Sequence, residues 1–177
     1  MRERSWRKWE LAGLFFAIAA GNLLHFVYDW SGGSPIAAAF AAVNESVWEH
    51  MKLLAVPWIL WTAVELAALR RSGLSAARGA GLLAGLGTIP ALYYTYTGAL
   101  GRHITLVNIL IFQAAVLLAC AVSWQLQKKR RLTGLLWQIG GAAVLLLAAV
   151  LFVWWSFAPP QLPLFADPST GLTGRSS

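Results

Sequence analysis

The chain has 177 residues, of which 58% are hydrophobic and 12% charged, and its formal net charge is +7. Soluble domains carry about 25% charged residues, so this composition excludes an ordinary soluble protein and predicts an all-α integral membrane bundle. Most basic residues flank apolar segments, which argues against nucleic-acid binding, and the single cysteine, Cys120, excludes an intrachain disulfide.

Five apolar segments approach the length of about 20 residues that a helix needs to cross the core of a bilayer. We predict spans at residues 11–28, 51–69, 79–99, 104–126 and 135–157. They form one bundle over residues 1–158, followed by a proline-rich extracytoplasmic tail at residues 159–177. The apolar residues 36–43 follow Ser34 and Pro35 and are too short to cross, so they predict a short interfacial or re-entrant helix.

The basic residues lie mainly on one side of the predicted bundle. If the spans alternate in direction, 11 of the 14 Lys and Arg residues fall on the side of the N-terminus, including Arg70, Arg71 and Arg78 between the second and third spans. Cytoplasmic loops carry an excess of Lys and Arg. The sequence therefore predicts a multi-pass protein of the cytoplasmic membrane, with its N-terminus in the cytoplasm and its C-terminus outside.

Small residues in the predicted spans indicate where helices approach closely. Gly81 and Gly85 form a GxxxG pattern in the third span, and Gly140 and Gly141 are adjacent in the fifth. Such residues allow backbones to touch where lipid provides no hydrophobic driving force for helix association. They favour packing within the bundle over dimerisation.

Polar residues gather in residues 44–50, which read Asn-Glu-Ser-Val-Trp-Glu-His. Glu45, Glu49 and His50 are three of the ten acidic and histidine residues in the chain. Ionisable residues beside a bilayer are costly, so their concentration here indicates a functional or structural site.

The first and fourth spans can provide an opposite wall for this segment. Asn22, His25 and Asp29 are spaced i, i+3, i+7 and share one stripe of the first helix. His103 and Asn108 lie near the same membrane face in the fourth span. All three histidines of the chain therefore fall on the predicted outer side.

This constellation permits a metal or an acid–base site. Imidazoles and carboxylates bind zinc, iron and manganese, and we predict His25, Asp29 and Glu49 as the ligands of such a divalent metal. Paired carboxylates with a histidine also share acid and base roles, and we predict Glu45 as the general base, with Glu49 and His50 as the other catalytic residues.

A structural interpretation stays open beside these two. Asp29 or Glu49 can pair with Lys52, Arg102 or His25 as buried ion pairs that neutralise one another.

The leading functional hypothesis is an outward-facing acid and histidine pocket that binds a metal or acts by acid–base chemistry on a lipid or small molecule. One alternative is a small-solute or ion transporter or permeation unit, assembled as a homo-oligomer because five spans do not form an inverted repeat. Another is a non-catalytic assembly or accessory subunit. Whether the chain is an enzyme stays open among them.

The half of the bundle nearer the N-terminus offers almost nothing ionisable beyond Glu65. We expect Glu65 to extend toward Arg70 and Arg71. This asymmetry argues against a continuous polar pathway across the membrane.

The tail is too apolar to stay free in water. Leu162, Leu164 and Phe165 stand among prolines that forbid a helix. We predict that the tail folds back over the outer mouth of the bundle, where Asp167 approaches the polar cluster.

Three motifs together resemble a family of small bacterial multispan membrane proteins of unknown function. They are residues 25–32 (His-Phe-Val-Tyr-Asp-Trp-Ser-Gly), residues 44–53 (Asn-Glu-Ser-Val-Trp-Glu-His-Met-Lys-Leu) and the Pro-Pro…Pro-Leu-Phe…Asp-Pro pattern of residues 159–168. The resemblance covers nearly the whole chain. It implies a bacterial cytoplasmic membrane as the setting and transfers no catalytic or binding residue.

Overall fold

Six α-helices make up most of the described chain. The computed structural model describes residues 3–69 and 71–174, with side chains from Trp6 onward. The helices are α1 (Glu3–Trp30), α2 (Pro35–Phe40), α3 (Val47–Leu69), α4 (Leu74–Leu100), α5 (Thr105–Lys128) and α6 (Leu135–Phe157), followed by a 3-10 turn (Pro163–Phe165). Within these ranges the only strand-like pairing is an isolated bridge between Ala166 and Thr173. The all-α prediction is confirmed.

Four of the described helices are long and apolar enough to cross a membrane, namely α1 from Trp6 to Trp30, α3, α5 and α6. The sequence predicted five, so that count is too high by this measure. The helix that falls short is α4, whose 27 residues are long enough but include several glycines, threonines and tyrosines that lower its apolar character. It nevertheless packs extensively against α5 and also against α6 and α3.

The helices carry large apolar side chains on their outer surface. Phe15 is 69% exposed, Leu136 84% and Leu146 67%. Helices that are hydrophobic on the outside as well as the inside are suited to lipid. The interior is equally apolar around Leu54 and Trp58, which are fully buried.

Small residues set the closest helix contacts. A Cβ atom on Gly79 would meet the backbone of Gly141, and one on Gly141 would meet the backbone of Ala76, so α4 and α6 cross with their backbones in contact. A Cβ atom on Gly81 would meet the carbonyl oxygen of Ala119 in α5. These glycines act within the bundle, as their spacing predicted.

The predicted short helix is α2. Pro35 stands in its first turn, but the side chain of Ser34 makes no capping hydrogen bond. Ala38 and Ala39 are buried, and α2 packs mainly against α6. The chain then turns through residues 41–46 into α3.

Side-chain contacts show that the long helices alternate in direction. His25, near the end of α1, contacts the beginning of α3, whereas Glu10, near the beginning of α1, contacts Arg78 near the beginning of α4. We call the end of the bundle at residues 41–46 the tail end, since the C-terminal tail also lies there, and the opposite end the N-terminal end.

Candidate functional site

Three side chains able to bind a metal ion lie together at the tail end. His25 Nε2 is 3.4 Å from Glu45 Oε1, and His50 Nε2 is 3.7 Å from Glu45 Oε2. One donor atom from each residue lies within 4.8 Å of the other two. The two imidazole rings are in edge contact, with centroids 5.7 Å apart. We call these three residues the His–Glu–His group.

The connection into α3 positions two members of this group. Asn44 Oδ1 accepts a hydrogen bond from the amide of Ser46 at 2.9 Å, and Ser46 Oγ accepts one from the amide of Glu49 at 3.3 Å. The Ser46 hydroxyl thereby caps one of the amides that the first turn of a helix leaves unpaired. The cap at Ser46 fixes the start of α3 at Val47. Glu45 therefore lies just before the helix, and His50 lies in its first turn.

A backbone hydrogen bond orients the ring of His50. Its Nδ1 atom lies 2.9 Å from the carbonyl oxygen of Ser46. A carbonyl only accepts, so Nδ1 carries the proton of the neutral ring and Nε2 keeps its lone pair. That lone pair faces the carboxylate of Glu45, 3.7 Å away, so two electron-rich acceptors oppose each other. A proton or a cation between them would relieve this repulsion. Donation from the distal nitrogen to a carbonyl is also the usual support of a metal-binding histidine.

Glu45 is poised to stay ionised. The hydrogen bond with His25 holds the pKa of Glu45 below its ordinary value, although burial of the carboxyl opposes this effect. A positive charge on His25 or His50, when either ring is protonated, acts in the same direction as the hydrogen bond. The carboxylate is the form that binds a metal, and a metal bound here would displace the proton that His25 shares with Glu45.

A cavity of about 320 Å³ lies beside the His–Glu–His group, between α1, α3 and α5. All three members of the group line it. Its apolar wall includes Phe26, Leu53 and Phe112, and the tail contributes Pro168. Its other polar lining residues are Asn22, His103, Thr105 and Asn108. Ligand sites are typically cavities of ~300–1,000 Å³ with apolar walls and a few polar groups, and this cavity fits that description.

Glu49, predicted as both a ligand and a catalytic residue, lies outside the group. Its Oε2 atom is 2.6 Å from Lys52 Nζ and accepts a hydrogen bond from the amide of Val43 at 3.1 Å. Lys52 also donates to the carbonyl of Ala38 at 2.9 Å and to the hydroxyl of Ser156 at 2.8 Å. This buried pair joins α2, α3 and α6, which is the structural role that the sequence left open.

Asp29, the other carboxylate predicted as a ligand, is exposed in the last turn of α1 and does not belong to the group. Glu45, and not Asp29, is the carboxylate that lies beside the two histidines. The structure therefore brings His25 together with Glu45 and His50, and leaves Asp29 and Glu49 out of the donor set.

The tail covers the same end of the bundle. Phe165 is 3% exposed, and its ring lies 4.8 Å from that of Trp48, measured between centroids. Asp167 Oδ2 accepts a hydrogen bond from the amide of Glu45 at 3.1 Å. The prediction that the tail folds back and brings Asp167 to the polar cluster is confirmed.

A second polar cluster, near the N-terminal end, was missed by the sequence analysis. Arg78 Nη1 is 3.3 Å from Glu10 Oε2, and Arg78 Nε is 3.4 Å from Glu65 Oε2. Arg78 Nε also donates to Thr62 Oγ1 at 2.9 Å, and the guanidinium lies 3.7 Å from the ring centroid of Trp58. We call Glu10, Glu65 and Arg78 the arginine cluster.

This cluster corrects two expectations. Arg78 is fully buried within α4 and does not belong to a basic loop. Glu65 pairs with Arg78, which the sequence did not predict. Arg71 donates to the carbonyl of Gln127 at 3.0 Å, and Arg70, the other residue expected near Glu65, lies outside the described residues. The available signal was that Arg78 stands among small residues, which leave room for a guanidinium inside a bundle.

The apolar helices and the polar groups enclosed at both ends of the bundle define a multi-pass helical membrane protein. The chain belongs to the family described as "Family of unknown function (DUF6512)", which matches residues 1–175. This agrees with the uncharacterised family that the sequence motifs resemble. No curated protein and no solved structure matched the chain.

Proposed function

We propose that the His–Glu–His group binds a divalent transition metal and that this metal acts on a lipid or small molecule in the adjoining cavity. The observation that carries the proposal is the convergence of His25, Glu45 and His50, with donor atoms within 4.8 Å of one another, on the wall of a cavity of about 320 Å³. Two imidazoles and one carboxylate are a common protein ligand set of catalytic zinc, which keeps a further position open for water or substrate.

The chemistry of such a centre would come from its open position. His25, Glu45 and His50 would hold the metal, which would supply Lewis-acid chemistry by making a bound water more acidic and by polarising a substrate oxygen. In this arrangement Glu45 is a ligand, so it no longer serves as the general base that its sequence context suggested. His103, the third imidazole lining the cavity, is our candidate for accepting a proton.

The cavity walls support an amphiphilic substrate. Phe26, Leu53 and Phe112 provide apolar contact, whereas Asn108 and the His–Glu–His group provide polar contact on the other side. A lipid headgroup with its first methylenes, or a small molecule of similar character, combines these properties. Substrate would reach the cavity from the lipid surface at the tail end.

We also infer that α4 is a fifth crossing and that the tail end faces outward from the cytoplasmic membrane. In α4, Arg78 lies in the cluster near the N-terminal end, and Tyr96 donates to Asn108, a residue of the tail-end cavity. Eighteen residues of helix separate them, or about 27 Å. Without the buried Arg78, ten of the 14 basic residues still fall on the N-terminal side, which supports a cytoplasmic N-terminus.

Metal analysis of the purified full-length protein tests this function. We expect one zinc or iron ion per chain in the wild type and loss of that ion in Glu45→Gln and in His25→Ala. Asp29→Asn is the matched control, because it removes a nearby carboxylate outside the group and should keep the metal. A wild type without stoichiometric metal, after purification without chelators, would overturn the proposal.

The arginine cluster supports transport as a second candidate. It provides ionisable groups in the half of the bundle where the sequence indicated almost none beyond Glu65. The fully buried Leu54 and Trp58 occupy the apolar interior, so transport would require these side chains to move. Flux of metal or protons into liposomes that depends on both clusters would favour this candidate over a metal-dependent enzyme.

A further inference from the structure

The arginine cluster has an unbalanced charge. Two carboxylates, from Glu10 and Glu65, face the single guanidinium of Arg78, and none of these three residues is more than 3% exposed. If both carboxyls were ionised, the cluster would hold one negative charge without a counterion. A buried charge without a partner is so costly that the group takes up a proton instead.

Hydrogen bonds distinguish the two acids. Glu10 accepts from Arg78 at 3.3 Å, from the hydroxyl of Ser123 at 3.0 Å and from the side-chain amide of Gln127. Hydrogen bonds donated to a carboxylate favour its ionised form. In contrast, Glu65 Oε2 lies 3.4 Å from Arg78 Nε, and neither carboxyl oxygen of Glu65 accepts a hydrogen bond among the described residues, since the indole of Trp61 donates to the carbonyl of Trp9. This difference in hydrogen bonding favours a carboxylate at Glu10 over one at Glu65.

In the described part of the chain, the ion-pair contacts of Glu10 and Glu65 come from Arg78. Arg78 Nε donates to Thr62 Oγ1, and its Nη2 atom, fully buried, has no hydrogen-bond partner in the described part of the chain. From α5 the nearby titratable residue is Cys120, and α6 carries no ionisable residue.

We propose that Glu65 is a proton-binding site inside the membrane, with its carboxyl protonated at neutral pH while Glu10 and Arg78 form an ion pair. Arg78 lies four residues from the start of α4, so the site is about one to two helical turns from the N-terminal end. Protons would exchange with water from that end. A carboxyl of this kind is the group through which a membrane protein can respond to a proton gradient.

Infrared difference spectroscopy of the full-length protein in lipid nanodiscs tests the site. We expect the carbonyl stretching band of a protonated, buried carboxyl in the wild type at pH 7, shifted on exchange into heavy water. Glu65→Gln, which matches the protonated side chain in shape, should keep the fold and lose the band. Glu65→Asp should keep a band at a different frequency, so the site is tested even if the glutamine variant does not fold.

Glu10→Gln provides the second arm. Removing this carboxylate leaves Glu65 as the sole counterion of Arg78, so Glu65 should ionise and the band should again disappear. Absence of the band in the wild type, or its persistence in Glu65→Gln or in Glu10→Gln, would overturn the proposal. Because these spectra require no metal in the His–Glu–His group, they test the proton site independently of the proposed metal function.

Discussion

The imidazole of His50 donates a hydrogen bond from Nδ1 to the carbonyl oxygen of Ser46, 2.9 Å away. This bond belongs to the first turn of α3, and it directs Nε2 at Glu45. The start of one helix therefore sets both the tautomer of a histidine and its orientation toward a carboxylate.

Removing a residue that only supports a metal ligand weakens metal binding by ~10–100-fold. His50→Ala removes the ligand itself, so we expect it to weaken zinc binding by more than that. Competition with a zinc-chelating dye in detergent measures this. His103→Ala is the matched control, since His103 lines the same cavity without belonging to the group. Equal affinities of the two variants would contradict the assignment of His50 as a ligand.

Attachment of the tail should depend on the ionisation of Asp167. Burial alone would raise its pKa, but hydrogen bonds from Ser169 and from the backbone amides of Glu45, Ser169 and Thr170 hold the pKa of Asp167 below its ordinary value. A carboxyl with a lowered folded-state pKa stabilises the fold above its unfolded pKa of about 3.9, and this stabilisation is lost as pH falls through the lowered value. The tail should therefore stay attached from pH 7 to pH 5.

Asp167→Asn should loosen the tail at pH 7 by about 1.5–3 kcal/mol, the range for hydrogen bonds to a charged group. Amide hydrogen exchange across residues 159–174 measures this effect, with Asp29→Asn as a control for the loss of an exposed carboxylate at the end of α1. Unchanged exchange in Asp167→Asn would show that the apolar contacts of Phe165 hold the tail without the carboxylate.

Lys52 and Glu49 should be strongly coupled. Lys52→Met leaves the carboxylate of Glu49 buried without its cation, and we expect a loss of about 3–5 kcal/mol in the free energy of unfolding. The double variant with Glu49→Gln should recover much of that loss, because no charge is then left unpaired. Thermal unfolding in detergent is measured for the wild type, for Lys52→Met, for Glu49→Gln and for the double variant. If the losses of the two single variants simply added up in the double variant, the pairing would be contradicted.

Replacing either of the adjacent glycines of α6 by alanine should have different effects on the stability of the protein. A Cβ atom on Gly141 would meet the backbone of Ala76, whereas one on Gly140 would meet nothing within 4 Å. Gly141→Ala should push α4 and α6 apart and lower the unfolding temperature. Gly140→Ala should leave it unchanged or raise it, since alanine favours a helix over glycine by about 1 kcal/mol. A similar loss of stability in both variants would argue against this helix crossing.

The sequence predicted the features that depend on residues close together in the chain, and it missed those that depend on contacts between distant residues. The membrane class, the long helices and the short helix α2 follow from apolar length and from proline positions, which are local properties. The return of the tail also followed from local composition, since Phe165 is buried and Leu164 packs against the core, whereas Leu162 remains 55% exposed. Four helices rather than five pass the test of length and apolar composition, because α4 combines sufficient length with a less apolar composition.

Residue spacing along the chain was not enough to predict which side chains meet in the candidate sites. The sequence by itself determined that His25, Glu45, Glu49 and His50 lie near one end of a membrane bundle, since helix length and direction decide that. Only the tertiary structure decided that Glu45 meets the histidines while Glu49 meets Lys52, and that Arg78 turns inward between Glu10 and Glu65. The physical reason is that partners of buried charges are chosen by the rotation and separation of packed helices, which residues distant in the chain determine together.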